Sequence, residues 1–97
     1  PDVIMGDFCH LDTNCIIEHD CNIGNNIMVC PGVNICGGVI VENDVFIGAG
    51  TTIINSTNDK KIILNEKCII GAGSLITKSI ENNKLYYGTP LLNNIIY

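Results

Sequence analysis

A step of six residues from Met5 meets an aliphatic side chain nine times running: Met5, Leu11, Ile17, Ile23, Val29, Ile35, Val41, Ile47 and Ile53. Eleven residues, six plus five, then lead to Leu64, and the period resumes at Ile70 and Ile76. Ile, Leu, Val and Met fill 32 of 97 positions. At about one position in three, twelve consecutive hits arise by chance about once in a million draws. A second register lies two residues before each aliphatic: Val3, Cys9, Cys15, Cys21, Ile27, Val33, Val39, Val45, Thr51, Ile62, Cys68 and Ser74. None is charged and most are small. A third register, one residue after the aliphatic, holds turn-friendly types such as Gly6, Asp12, Gly24, Gly48, Asn65 and Gly71.

A period of six with two inward positions does not fit an α-helix, whose period is 3.6. It predicts an all-β chain, a parallel β-helix with three short strands in each 18-residue coil. The aliphatics point to the axis and the small residues sit beside the corners. Twelve hexads make about four coils, a prism ~19 Å tall at the usual strand spacing. The repeat is expected to occupy residues 1–77. The stretch 55–61 carries the five extra residues as a polar loop, either a tolerated insertion or a flap over a ligand. Residues 78–97 form an extension. Its segment Leu85–Pro90 reads as short and extended, and its apolar tail, Leu91–Tyr97, needs cover.

Length allows one domain. The apolar fraction of 46% against 15% charged residues describes a chain that folds. Isoleucine alone supplies 18 residues and tryptophan none, so branched aliphatics build the core. The net charge of −5, with five lysines and no arginine, argues against a nucleic-acid surface. No apolar run is long enough for a membrane-spanning helix, and no signal peptide is visible. The chain opens on Pro1 inside a patterned segment, the expectation being a fragment.

Six cysteines raise the question of a disulfide framework. Cys9, Cys15, Cys21 and Cys68 hold the small inward register, where a thiol acts as a small hydrophobe. Cys30 and Cys36 follow an aliphatic. No two are 18 apart, so none stacks on another. Free thiols in a reducing, cytoplasmic compartment are expected, and no C-x-x-C pair suggests a metal.

The hexads, with Ile-Gly-Asn-Asn, Pro-Gly-Val, Phe-Ile-Gly-Ala-Gly-Thr and Ile-Ile-Gly-Ala-Gly-Ser, resemble the left-handed β-helix (hexapeptide-repeat) acyltransferases. More narrowly, the run from Ile17 to Gly24, then Cys36-Gly37-Gly38 and Tyr87-Gly88-Thr89-Pro90, is similar to sugar O- and N-acetyltransferases of the sialic-acid and bacillosamine type. The resemblance implies the left hand of the coil, acetyl-CoA as co-substrate and a homotrimer with active sites between subunits. It also implies an amino sugar nucleotide as acceptor, and an N-terminal nucleotide-sugar domain, which is expected to be missing from this fragment. A sialic-acid-type O-acetyltransferase and a catalytically silent trimeric scaffold are the alternatives. A metal-dependent hydratase on such a solenoid needs three histidines, and the chain has two.

Acetyl transfer from a thioester needs a base for the attacking group and a donor for the oxyanion. His19 follows an inward aliphatic by two and so points outward. Asp20 beside it can orient the ring. Gly37 and Gly38, 18 residues on, stack under this pair and clear a hollow, and the Gly37 N–H is placed to polarise a carbonyl. The resemblance likewise makes His19 the base. It further implies substrate contacts at His10, at Met28, over which His10 stacks and where such enzymes often have a second histidine, and at Asp12. For the cofactor it implies Gly37, Gly38 and the segment Gly71-Ala72-Gly73, with Lys78 and Lys84 the nearest cations. Where relatives continue Gly-x-Pro with Ala-Lys, this chain has Leu91-Leu92. No metal is expected.

Overall fold

The computed structural model describes residues 2–89 and the backbone of 95–96. It contains β-strands and no helix among those residues, wound into a three-sided parallel solenoid. The first face holds β1 (Ile4–Met5), β4 (Asn22–Ile23), β7 (Ile40–Val41) and β10 (Ile63–Leu64). The second holds β2 (His10–Leu11), β5 (Met28–Val29), β8 (Phe46–Ile47), β11 (Ile69–Ile70) and β13 (Leu85–Tyr87). The third holds β3 (Ile16–Ile17), β6 (Asn34–Ile35), β9 (Thr52–Ile53) and β12 (Leu75–Ile76). Rungs pair in the register that the period dictates, for example Ile17 with Ile35 and Ile35 with Ile53. Across the insertion the register simply jumps, so that Ile53 pairs with Ile76.

The two inward registers form one core. Ile23, Val29, Ile35, Val41, Ile47, Ile53, Leu64, Ile70 and Ile76 are at most 1% exposed. The small register, from Cys21 through Val33, Val45, Thr51 and Cys68 to Ser74, is buried beside them. Its two polar members are satisfied by the backbone: the hydroxyls of Thr51 and Ser74 both donate to the Gly71 carbonyl, at 3.2 and 2.6 Å. Met5 and Leu11, in the first described coil, keep the period but stay 38% and 41% exposed.

The corners add a register absent from the hydrophobic pattern. Three residues after ten of the twelve aliphatics the backbone turns through positive φ, at Asn14, Asp20, Asn26, Asp44, Gly32, Gly38, Gly50 and Gly73 among them; Ser56 and Ser79, which follow Ile53 and Ile76, are the exceptions. Asn, Asp and Gly are the residues that tolerate the left-handed region at least cost. Phe8 and Lys67 hold the same conformation without that advantage.

The winding continues past residue 77, giving about five turns rather than four. Ile80 bridges to Leu64 and is 2% exposed, and β13 pairs in parallel with β11, burying Tyr86 to 1%. The step from Ile76 to Ile80 is four residues, and an aromatic then replaces the aliphatic, so the period hides this rung. The segment Leu85–Tyr87 is thus a rung of the second face. The backbone of β14 (Ile95–Ile96) pairs antiparallel with it. The rest of the tail, including Leu92, lies outside the described residues.

All six cysteines are free thiols, and Cys21 and Cys68 are buried. Burial pushes the Cys68 thiol up to about 11. Six thiols are expected to titrate after unfolding without reductant. In the native protein at pH 8, Cys21 and Cys68 should stay unmodified, because the thiolate is the reactive form. Fewer than six after unfolding would contradict the inward-register argument.

Candidate active site

The edge between the third and first faces gathers the chemistry. Its successive corners are His19-Asp20, Gly37-Gly38, Asn55-Ser56 and Lys78-Ser79. His19 leaves β3 just before the left-handed residue Asp20, whose φ of 60° throws the histidine outward. Its Nδ1 lies 3.1 Å from Asp20 Oδ2, and both side chains are exposed, 61% and 62%. With the proton on Nδ1 donated to that carboxylate, Nε2 keeps a lone pair for a substrate proton.

The ring lies over Gly37. A β-carbon built at Gly37 would stand 2.5 Å from His19 Cε1 and 2.7 Å from Nε2, so only glycine admits the imidazole. The backbone locks the two corners together: Gly38 N–H donates to the His19 carbonyl, and Ser56 N–H to the Gly37 carbonyl, both at 2.9 Å. On the edge between the first and second faces, the equivalent N–H groups are capped by the next coil's asparagine. Asp7 N–H donates to Asn25 Oδ1, and Asn25 N–H to Asn43 Oδ1. The Gly37 N–H has no such acceptor among the described residues, which leaves it available to a ligand carbonyl.

A hollow of about 200 Å³ opens beside the ring, bounded by His19, Asp20, Gly37 and Gly38 and walled by Asn55–Asn58 with Lys61. The insertion therefore builds one side of the candidate site. From the sequence, 55–61 is expected as an insertion or a flap over a ligand, with none of its residues named for the site. The available signal was its position: the five extra residues enter at the corner that stacks on Gly37.

The other expected site residues divide between edges. Lys78 lies on the His19 edge, lining a second hollow of about 220 Å³ with Ser79, Ile80 and Glu81. Gly71, Ala72 and Gly73 lie on the edge between the second and third faces. There a β-carbon on Gly48 would stand 2.5 Å from Ala72 N, and one on Gly71 2.7 Å from Tyr87 Cβ, so close coil packing accounts for Gly48 and Gly71, while Gly73 answers to its φ of 72°. His10 pairs with Met28 on the outer side of the second face, as the stacking arithmetic predicts. Its Nε2 is 3.8 Å from Asp12 Oδ2. Within one chain none of these three borders the His19 hollow. Among the described residues, no cluster of three or more His, Cys, Asp or Glu could hold a metal, and no helix is long and apolar enough to cross a membrane.

No family model matches the chain. It is 35% identical over 69 residues to a GDP-perosamine N-acetyltransferase of Escherichia coli O157:H7, covering 71% of this chain and 28% of that protein. It is 26% identical over 105 residues to a galactoside O-acetyltransferase of Lactococcus lactis, covering 90% and 48%. The structure of WeeI from Acinetobacter baumannii superposes with a TM-score of 0.89 at 31% identity, over 99% of this chain and 44% of that one. The chain thus spans less than half the length of these relatives.

Proposed function

This chain belongs to the hexapeptide-repeat acetyltransferases of the left-handed β-helix fold, and from that premise we propose that it transfers an acetyl group from acetyl-CoA to an amino sugar nucleotide. The acceptor class is a 4-amino-4,6-dideoxyhexose nucleotide, with its amine as nucleophile. The observation that carries the reading is the His19 imidazole, tied to Asp20 and laid over a glycine whose N–H is uncapped. The thioester carbonyl sits at the Gly37 N–H. The amine attacks the carbonyl carbon while His19 Nε2 removes its proton, and Asp20 stabilises the imidazolium. The tetrahedral intermediate then collapses. The C–S bond breaks, and the CoA thiolate takes the proton back from His19. No protein nucleophile is needed.

The name of the Escherichia coli relative supports an amine acceptor. The name of the Lactococcus relative keeps a hydroxyl acceptor, and with it a sialic-acid-type O-acetyl transfer, as the second reading. A homotrimer completes the proposal. The outer second face carries an apolar stripe, Met28 at 39%, Phe46 at 40% and Ile69 at 47% exposed, suited to burial against another copy. A neighbouring prism would also bring His10, Asp12 and Met28 toward a His19 edge that one chain alone does not reach. Lys78, farther along the same edge, is the cation we assign to a CoA phosphate.

Release of free thiol from acetyl-CoA tests the reading, with the protein in its native full-length form. Thiol release that depends on GDP-perosamine is expected. Release with sialic acid alone moves the assignment to hydroxyl transfer. Release with neither acceptor leaves a silent scaffold.

A further inference from the structure

We propose that Lys61, carried by the insertion into the His19 hollow, binds an anionic group of the acceptor, a phosphate or a carboxylate, and so selects the acceptor. The inference rests on the acetyl-transfer reading above.

The insertion is held at both ends. At its start, Ser56 N–H donates to the Gly37 carbonyl at 2.9 Å, and Ser56 Oγ accepts from Ile62 N–H at 2.9 Å. The excursion closes on itself, with Thr57 N–H donating to the Lys60 carbonyl at 2.9 Å and Lys60 N–H to Thr57 Oγ1 at 3.0 Å. At its end, Ser79 Oγ donates to the Lys61 carbonyl at 3.1 Å and accepts from Ile63 N–H at 2.8 Å. The Lys61 backbone is thus tied one rung beyond Gly38, while its ammonium turns back. Nζ lies 4.0 Å from where a Gly38 β-carbon would stand. The ammonium therefore reaches the Gly38 corner, where the backbone turns through a φ of 74°.

Charge decides what Lys61 meets there. The chain has ten carboxylate side chains and five lysines. Yet among the described residues Lys61 pairs with none of those carboxylates, and the one acid lining the hollow, Asp20, engages His19. An unpaired cation beside an uncapped N–H and a base favours an anion on the bound molecule. Acetyl-CoA is a poor match at that point. With its carbonyl at Gly37, the whole neutral pantetheine arm separates the thioester from the nearest CoA phosphate. The acceptor differs, because a sugar nucleotide carries its phosphate one ring's width from the reacting amine, and a sugar acid carries a carboxylate on the ring itself.

The test compares wild type, Lys61→Met and Lys61→Arg in the full-length protein. The acceptors are GDP-perosamine, perosamine without its nucleotide, and sialic acid. Lys61→Met is expected to raise KM for the recognised anionic acceptor about tenfold, the size of one charge-assisted hydrogen bond. KM for acetyl-CoA should stay constant, and Lys61→Arg should restore most of the loss. An effect confined to GDP-perosamine identifies a phosphate, and one confined to sialic acid a carboxylate. A rise in KM for acetyl-CoA, an equal fall in kcat with every acceptor, or no change overturns the proposal. If wild type turns over no acceptor, the acetyl-transfer reading fails by itself. Calorimetric titration of the same compounds then decides for Lys61: weaker binding to Lys61→Met supports it, and equal binding overturns it.

Discussion

His19→Ala is expected to lower turnover about 10²–10⁴-fold, the usual cost of losing a general base, with the solenoid intact. The ring is 61% exposed and contributes nothing to the buried core, so thermal stability and sedimentation should match wild type. Asp20→Asn separates the two tasks of its neighbour. Asparagine tolerates positive φ as aspartate does and already holds Asn14, Asn26 and Asn83 in that conformation. The corner therefore survives while the carboxylate that steadies the imidazolium is lost. A fall in kcat at constant stability supports the orienting role. Near wild-type turnover in His19→Ala would remove the base assignment. Loss of assembly in that variant would make His19 structural.

The repeat was readable because a solenoid repeats one physical demand. Every sixth residue fills the same axial volume, so Ile, Val, Leu and Met recur and the stacking partner is found by adding 18. That arithmetic placed Gly37 under His19 and Met28 beside His10, as the structure has them. It failed where the demand changed. The last rung follows a step of four and buries an aromatic, Tyr86, so no aliphatic period marks it. The corner register answers to backbone φ rather than hydrophobicity, so the aliphatic period does not mark it: Asp20 stands there for its conformation as well as its charge.

The site was half visible for a related reason. Residues on rungs have addresses, and those of an insertion do not. His19, Asp20, Gly37 and Gly38 follow from the frame. The wall made by Asn55–Asn58 and Lys61 depends on how Ser56 and Ser79 clamp a non-periodic loop. Sharing a motif is also different from sharing an edge. Gly71-Ala72-Gly73 fits a cofactor-like pattern, yet it lies at a corner where Gly48 packs on Ala72 and Gly71 on Tyr87.

Gly37→Ala is the sharper test of the hollow, because a single methyl group separates packing from chemistry. Its β-carbon would fall 2.5 Å from Cε1 and 2.7 Å from Nε2 of His19, well inside contact distance. What gives way is an exposed side chain rather than backbone, so the ring swings off Gly37 and away from Asp20. Turnover is expected to fall about 10²-fold or more while the Gly37 N–H remains, with little change in melting temperature. Gly37→Val fills more of the hollow and should be at least as damaging. If the loss acts through the histidine, His19→Ala combined with Gly37→Ala should be little worse than His19→Ala alone, since coupled sites do not add. Gly48→Ala supplies the contrast. Its methyl would meet the backbone of Ala72, at 2.5 Å from N and 2.8 Å from Cα, and backbone cannot swing aside. That variant should lose stability first, and Gly37→Ala activity first. Should Gly37→Ala instead melt early with normal turnover per folded molecule, the glycine serves coil packing, and the imidazole does not depend on it.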